Sequence, residues 1–98
     1  MQFGLSTEDI NKIKEVIARF PEVERVIIYG SRAKGNYKLA SDIDLTLVGE
    51  KLTLSLLQSL ENDMDDLLLP YKFDISIFHQ ISNPDLLNHI ERVGKEFI

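Results

Sequence analysis

The chain has 98 residues, of which 44% are hydrophobic, and its formal net charge at pH 7 is −5. This length predicts one domain over residues 1–98, and the acidic balance argues against tight binding to duplex nucleic acid, which needs a basic surface. The absence of cysteine excludes disulfides and thiolate zinc sites, and no apolar run approaches the roughly 18 residues of a membrane helix. With no signal peptide pattern at the N-terminus, we expect a cytoplasmic protein without a membrane partner.

The first half of the chain predicts one helix and two strands. Apolar residues recur at helical spacing over Thr7–Arg19, behind the capping residue Ser6. The continuous β-branched run in Arg25–Tyr29 predicts a strand that is buried on both faces. A polar connection with two glycines follows over residues 30–40. Residues 42–48 then alternate between polar and apolar side chains, which predicts a second strand with one polar face.

The second half predicts two helices and two more strands. An apolar stripe indicates a helix over residues 52–69, and alternation indicates a strand over residues 72–78. Ser82 or Asn83 is the expected cap of a last helix, and a short strand is expected over residues 96–98. This order of elements predicts an α/β (α+β) domain in which helices flank a small mixed β-sheet.

Three aspartates stand on the polar faces of the second and third predicted strands. Asp42 and Asp44 are two residues apart, so their side chains point the same way. Carboxylates within about 6 Å repel each other, and a divalent cation would compensate them. Oxygen ligands without a neighbouring histidine or cysteine indicate Mg²⁺ or Mn²⁺. Asp74 joins this group if its strand lies beside the second strand; a solvated edge strand is the other interpretation of the same pattern.

A glycine and a serine directly follow the first strand. Gly30 would let backbone N–H groups approach a ligand closely, and the hydroxyl of Ser31 is a donor for phosphate oxygens. Arg32 and Lys34 add positive charge to the same segment. The segment matches neither the Walker A pattern nor the dinucleotide-binding fingerprint. It is a candidate phosphate-binding turn, with an ordinary strand-to-helix connection as the alternative.

Together these motifs resemble the minimal nucleotidyltransferase (MNT) branch of the polymerase-β-like nucleotidyltransferase superfamily. The resemblance lies in YGSRAKGNYKLASDIDL, where Gly30 and Ser31 precede Asp42 and Asp44 by ten intervening residues. It continues in the lone aspartate of YKFDISIF and in the ending LLNHIERVGKEFI. The resemblance implies a polymerase-β-like nucleotidyltransferase fold and covers residues 27–98.

The resemblance also implies a reaction and a role for each motif residue. The enzyme would transfer a nucleoside monophosphate, expected to be AMP from ATP, to a hydroxyl and release pyrophosphate. Phosphate binding is implied for Gly30, Ser31 and Arg32. Binding of two Mg²⁺ ions, or of Mn²⁺ in their place, is implied for the catalytic residues Asp42, Asp44 and Asp74. Asp74 could also assist deprotonation of the attacking hydroxyl.

A partner protein is implied as well. Proteins of this branch are commonly paired, as antitoxins, with small all-helical HEPN toxins, which they AMPylate on tyrosine. Two alternatives stay open from the sequence: an antitoxin subunit that binds its partner with little or no catalysis, and a small-molecule transferase of the antibiotic-modifying type. The sequence also leaves open whether the chain forms a homo-oligomer.

The chain contains two histidines, His79 and His89. Their spacing, relative to each other and to the aspartates, does not match that of metal ligands. Because histidine is intermediate in its tendency to be buried, structural roles are expected for both.

Overall fold

The computed structural model describes residues 2–98, which form a four-stranded mixed sheet with helices. The elements in chain order are α1 (Thr7–Ala18), β1 (Arg25–Tyr29), α2 (Gly30–Lys34), β2 (Ile43–Val48), α3 (Leu54–Asp65), β3 (Phe73–Ile77), a 3₁₀ turn (Phe78–Gln80), α4 (Pro84–Val93) and β4 (Lys95–Glu96). The strand order is β3-β2-β1-β4. Only the β2–β3 pair is parallel, and β1 pairs antiparallel with both β2 and β4. The predicted mixed sheet is confirmed.

Side-chain caps fix the starts of the helices where the sequence predicts them. The hydroxyl oxygen of Ser6 accepts the N–H of Asp9 at 3.1 Å, which begins α1. Asn83 caps α4 with its side-chain oxygen, and Pro84 is the first residue of that helix. These caps satisfy amides that have no partner inside the helix, so they set the boundaries locally.

Helix α3 is shorter than predicted, because it begins at Leu54 and not at residue 52, and ends at Asp65 and not at residue 69. The chain continues as a loop in which Leu68 has a left-handed backbone (φ 55°) and is 88% exposed. Leu67 and Leu69 still pack against the core from this loop. Their apolar side chains continue the helical spacing beyond the end of α3, so this spacing predicted a helix that was too long.

The hydrophobic core lies on one face of the sheet. Strand residues that alternate along β1, β2 and β3 are buried there, namely Val26, Ile28, Leu45, Leu47, Ile75 and Ile77. Helices α1 and α3 cover this face with their apolar stripes. No helix within residues 2–98 combines the length and the apolar character that crossing a bilayer would require.

The opposite face of the sheet is polar and is only partly covered. It carries Tyr29 from β1, Asp44 and Thr46 from β2, and Asp74 from β3. Helix α4 contacts β1 and α2, and Thr46 is fully buried, whereas Asp74 is exposed. The C-terminal strand β4 extends the sheet beside β1; it begins one residue before the predicted start and ends two residues before the predicted end. The fold thus leaves the aspartate end of the polar face open.

Candidate active site

The first part of the site is the sharp corner between β1 and α2. Helix α2 begins at Gly30 immediately after Tyr29 ends the strand, and Gly30 has a left-handed φ of 72°. A Cβ atom at this position would overlap the Oδ2 atom of Asp44. Glycine is therefore needed here twice, once for the backbone conformation and once for the contact with a carboxylate on the next strand.

The second part is Arg32, which is only 2% exposed. Its guanidinium donates to three main-chain carbonyl oxygens, those of Phe3 at 2.9 Å, Leu39 at 3.2 Å and Ser41 at 3.0 and 3.1 Å. The rings of Tyr37 and Tyr71 lie 5.5 and 5.1 Å from its Cζ atom. Within residues 2–98 no carboxylate pairs with it. Arg32 thus holds the N-terminal segment and the loop before β2 against the turn, and its phosphate-binding role stays a prediction.

The third part is the group of aspartates. Asp44 is the second residue of β2, and the parallel register places it directly opposite Asp74 of β3. Asp42 lies just before β2 and is exposed, as is Asp74, while Asp44 is half-buried. The third strand does lie beside the second, so the condition for Asp74 to join the other two is met.

No ion pair within residues 2–98 compensates the charges of this group. Burial, followed by the charges of Asp74 and Asp42, raises the pKa of Asp44 above its usual value, and His89 opposes this. The ion pairs formed by residues 2–98 involve none of the three aspartates. In the same part of the chain, no three histidine, cysteine or acidic side chains form a ready-made metal site. The aspartates are therefore an open, electrostatically strained group.

Two further side chains reach this site. Tyr29 faces Asp44 across the β1–β2 pair, and burial, with smaller contributions from Asp74 and Asp44, raises its pKa, an effect that hydrogen bonding to Ser76 opposes. His89 of α4 accepts the N–H of Gly30 on Nε2 at 3.2 Å, and its ring meets the Tyr29 ring edge-on, with 6.1 Å between centroids. Both residues thus line the corner between β1 and α2.

Comparison with known proteins assigns the family. The family model described as polymerase beta, nucleotidyltransferase, matches residues 11–98. The chain belongs to this nucleotidyltransferase family. A protein of Methanocaldococcus jannaschii, which carries the provisional name protein adenylyltransferase, is 34% identical to this nucleotidyltransferase over 85 residues. That alignment covers 86% of each chain.

Solved structures confirm the nucleotidyltransferase fold. A chain of a toxin–antitoxin crystal structure with AMP-PNP superposes with a TM-score of 0.74 at 21% identity, over 91% of this chain and 72% of that one. A chain from a complex of tri-AMPylated Shewanella oneidensis HEPN toxin with MNT antitoxin gives 0.63 at 18% identity, over 96% and 72%. A Sulfolobus solfataricus protein described as a nucleotidyltransferase gives 0.53 at 20% identity, over 89% and 73%. At these identities the likeness concerns the fold.

The structure brings most of the predicted residues of the nucleotidyltransferase together. Gly30, Asp44 and Asp74 meet at one end of the polar face of the sheet, and Ser31 follows Gly30 in α2. The catalytic, metal-binding and phosphate-binding roles implied for these residues stay predictions. Neither Tyr29 nor His89 was predicted from the sequence to belong to the site. Alternation along β1 could have placed Tyr29 on the polar face, but no sequence signal places α4 over the turn. His79, by contrast, is exposed on the 3₁₀ turn.

Proposed function

We propose that this nucleotidyltransferase transfers AMP from ATP to a hydroxyl group on a partner protein. One observation carries the proposal: Gly30 packs against the carboxylate of Asp44, which itself lies opposite Asp74. A turn suited to phosphate oxygens and a group of carboxylates therefore share one surface. This combination has little use in a purely structural protein, because the uncompensated carboxylates cost stability.

The three aspartates suit a divalent cation by their chemistry. They offer only oxygen atoms, and the repulsion that raises the pKa of Asp44 would be relieved by bound positive charge. Asp42, Asp44 and Asp74 would together hold two Mg²⁺ ions, or Mn²⁺, which would neutralise the triphosphate and stabilise the departing pyrophosphate. Since the aspartates are not arranged as a ready-made site, we expect metal to bind together with the nucleotide, whose phosphates add further oxygen ligands.

The protein residues would then orient the two reactants. The turn of Gly30 and Ser31, backed by Arg32, would hold the β- and γ-phosphates, and the Ser31 hydroxyl would donate to a phosphate oxygen. The hydroxyl oxygen of the acceptor would attack the α-phosphorus, and the bond from that phosphorus to the bridging oxygen of pyrophosphate would break. The exposed carboxylate of Asp74 is available to accept the proton of the attacking hydroxyl.

The proposed acceptor is a HEPN-type all-helical protein. Support comes from the protein adenylyltransferase name of the archaeal relative and from two of the structural neighbours, which come from toxin–antitoxin structures. A side chain of such a partner could reach the aspartates because this end of the polar face is open. In this arrangement the chain would act as an antitoxin that modifies its toxin.

Labelled ATP tests the proposal directly. The chain is incubated with Mg²⁺, ATP labelled on the α-phosphate, and a purified HEPN-type toxin, and the toxin is then analysed by intact mass. We expect an added mass of one AMP per modified site, and a loss of about a thousandfold or more in transfer rate for Asp44→Asn and for Asp74→Asn. Asp65→Asn, at an exposed carboxylate at the end of α3, is the matched control and should leave the rate unchanged.

The outcomes separate the proposed enzyme from its alternatives. Transfer that survives in both Asp44→Asn and Asp74→Asn would contradict the assignment of the site. Full suppression of the toxin by the same two variants, without any AMP on the toxin, would instead favour an antitoxin that acts by binding alone. Label on a small-molecule hydroxyl, and never on the protein, would favour the antibiotic-modifying type of transferase.

A further inference from the structure

Helix α4 reaches the proposed phosphate turn through one side chain, His89. Its Nε2 atom accepts the Gly30 N–H at 3.2 Å, and its ring lies edge-on to the ring of Tyr29 at an interplanar angle of 80°. These contacts fall on the last residue of β1 and the first residue of α2. Among residues 2–98, no other side chain hydrogen-bonds to the main chain of Gly30 or Ser31.

This hydrogen bond determines what the turn can offer to a ligand. An imidazole accepts a hydrogen bond only on a nitrogen that carries no proton, so this contact requires an unprotonated Nε2. The Gly30 N–H is already engaged, which leaves the Ser31 N–H and hydroxyl as the donors that the turn can direct at a phosphate. Because glycine has more conformational freedom than any other residue type, a hydrogen bond to the Gly30 N–H restricts the orientation of this peptide.

We propose that His89 is a positioning residue for nucleotide binding. By accepting the Gly30 N–H, it holds that peptide in its left-handed conformation and keeps Ser31 turned toward the phosphates. Because Gly30 also packs against the Oδ2 atom of Asp44, the same hydrogen bond keeps the turn in register with the carboxylates. This inference rests on the function proposed above, and it gives α4 a role that neither the family nor the motif residues assign.

Two variants at this position and one control on the same helix separate the hydrogen bond from simple packing. His89→Gln carries an amide oxygen at about the reach of Nε2, so it can restore the acceptor. His89→Phe keeps an aromatic ring for Tyr29 but removes the acceptor. Leu87→Ala shortens a half-buried apolar side chain two residues away on the same helix and serves as the stability control.

The first readout is hydrogen exchange of the Gly30 amide, followed by NMR in the absence of nucleotide. His89→Phe should lose most of the protection of this one amide, whereas His89→Gln and Leu87→Ala should keep it. The remaining amide spectrum shows whether each variant is folded. Unchanged protection of Gly30 in a folded His89→Phe variant would overturn the proposal.

The second readout is calorimetric binding of AMP-PNP with Mg²⁺, together with ATP kinetics on the complex with the toxin. A hydrogen bond of ordinary strength corresponds to about fivefold in affinity, so His89→Phe should bind about fivefold more weakly, with a similar rise in KM and little change in kcat. His89→Gln should bind within about twofold of the unaltered chain, and Leu87→Ala should melt at a lower temperature but bind equally well.

Each adverse result has a distinct meaning. Equal affinity in His89→Phe and the unaltered chain overturns the role of His89, and tighter binding in His89→Phe does so as well, because it would show that the imidazole competes with the phosphates. If the unaltered chain binds no AMP-PNP at all, the proposed function fails. The Gly30 exchange data distinguish that failure from one confined to His89, since they do not depend on nucleotide.

Discussion

Arg32 and Asp44 lie at the same corner of the molecule, yet the protein treats their charges in opposite ways. Arg32 is buried, donates four hydrogen bonds to carbonyl oxygens and lies between two tyrosine rings. Asp44 is half-buried beside Asp42 and Asp74 and has no cationic side chain in contact with it among residues 2–98. The fold itself satisfies the arginine, whereas the proposed function leaves the aspartates for a ligand to satisfy.

We expect the largest effect on stability from replacing Arg32, whose charge is satisfied by hydrogen bonds within the protein. Arg32→Met leaves up to three carbonyl oxygens without their donor, each costing about 1–3 kcal/mol where water cannot replace it, so we expect a loss of about 3 kcal/mol or more in the free energy of unfolding. Lys34→Met, an exposed position on the same helix, is the control and should change stability by less than about 0.5 kcal/mol. Urea unfolding of both variants measures the difference.

A small loss of unfolding free energy in Arg32→Met would contradict the interpretation that the fold itself satisfies the charge of Arg32. It would mean that water reaches the carbonyl oxygens and that the arginine is available to a ligand, as the resemblance to the family implies. Arg32→Lys refines the result, because lysine keeps the charge but cannot reproduce the planar set of donors. We expect it to recover only a minor part of the stability.

The contact between the β1–α2 turn and Asp44 can be tested by substitution of Gly30. Gly30→Ala must adopt a left-handed backbone, which costs about 1–2 kcal/mol, and must also displace Asp44. Gly35→Ala meets the same backbone requirement (φ 89°), but a Cβ there has no atom within 4 Å. The difference in unfolding free energy between the two variants therefore isolates the contact with Asp44, and we expect Gly30→Ala to be the less stable by about 1 kcal/mol or more.

Equal stability of the two alanine variants would contradict this comparison. It would show that Asp44 moves away from the turn at little cost, so that the turn and the carboxylates are not held in register. Nucleotide binding gives an independent check, since Gly30→Ala should impair it and Gly35→Ala should not.

The residues around Asp44 show how much of the site could be predicted from the sequence alone. Alternation predicts that Asp42 and Asp44 share a face, and the capping and turn residues place the strands and helices that carry them, because these signals are local. The opposition of Asp44 and Asp74 depends on a parallel pairing between strands separated by α3, which no local pattern specifies. A resemblance to a family could suggest it, and the register confirms it.

Other residues could not be interpreted without the fold. Arg32 stands beside the glycine and serine in the sequence and so indicates a phosphate ligand, but its burial depends on loops that meet only after folding. His89 lies 59 residues from Gly30, and only the packing of α4 brings the two together. Leu67 and Leu69 extend the apolar spacing of α3 past the end of the helix. This spacing indicates which side chains are buried, and it does not show where the helix ends.

The smallest expected effect on stability concerns Asp44, which takes part in no ion pair within residues 2–98. Because burial and like charges raise the pKa of Asp44 in the folded state, the folded protein binds this proton more tightly than the unfolded chain does. Stability contributed by Asp44 is therefore greatest at acidic pH, falls as the pH rises from the ordinary aspartate pKa to the raised one, and stays lower above it. Asp44→Asn has no carboxylate at this position, so it does not lose stability in this way as the pH rises.

Thermal unfolding over a pH series tests this sign. At pH 7 and without metal, we expect Asp44→Asn to be more stable than the unaltered chain by up to about 1 kcal/mol, and the advantage should vanish near pH 3, where both side chains are neutral. Mg²⁺ with AMP-PNP should reverse the order at pH 7, because a ligand that binds only the folded form through the carboxylate stabilises only the unaltered chain. Asp65→Asn should show neither effect. If Asp44→Asn proved less stable at pH 7 without metal, Asp44 would be a structural residue like Arg32, and the contrast between the two charges would not hold.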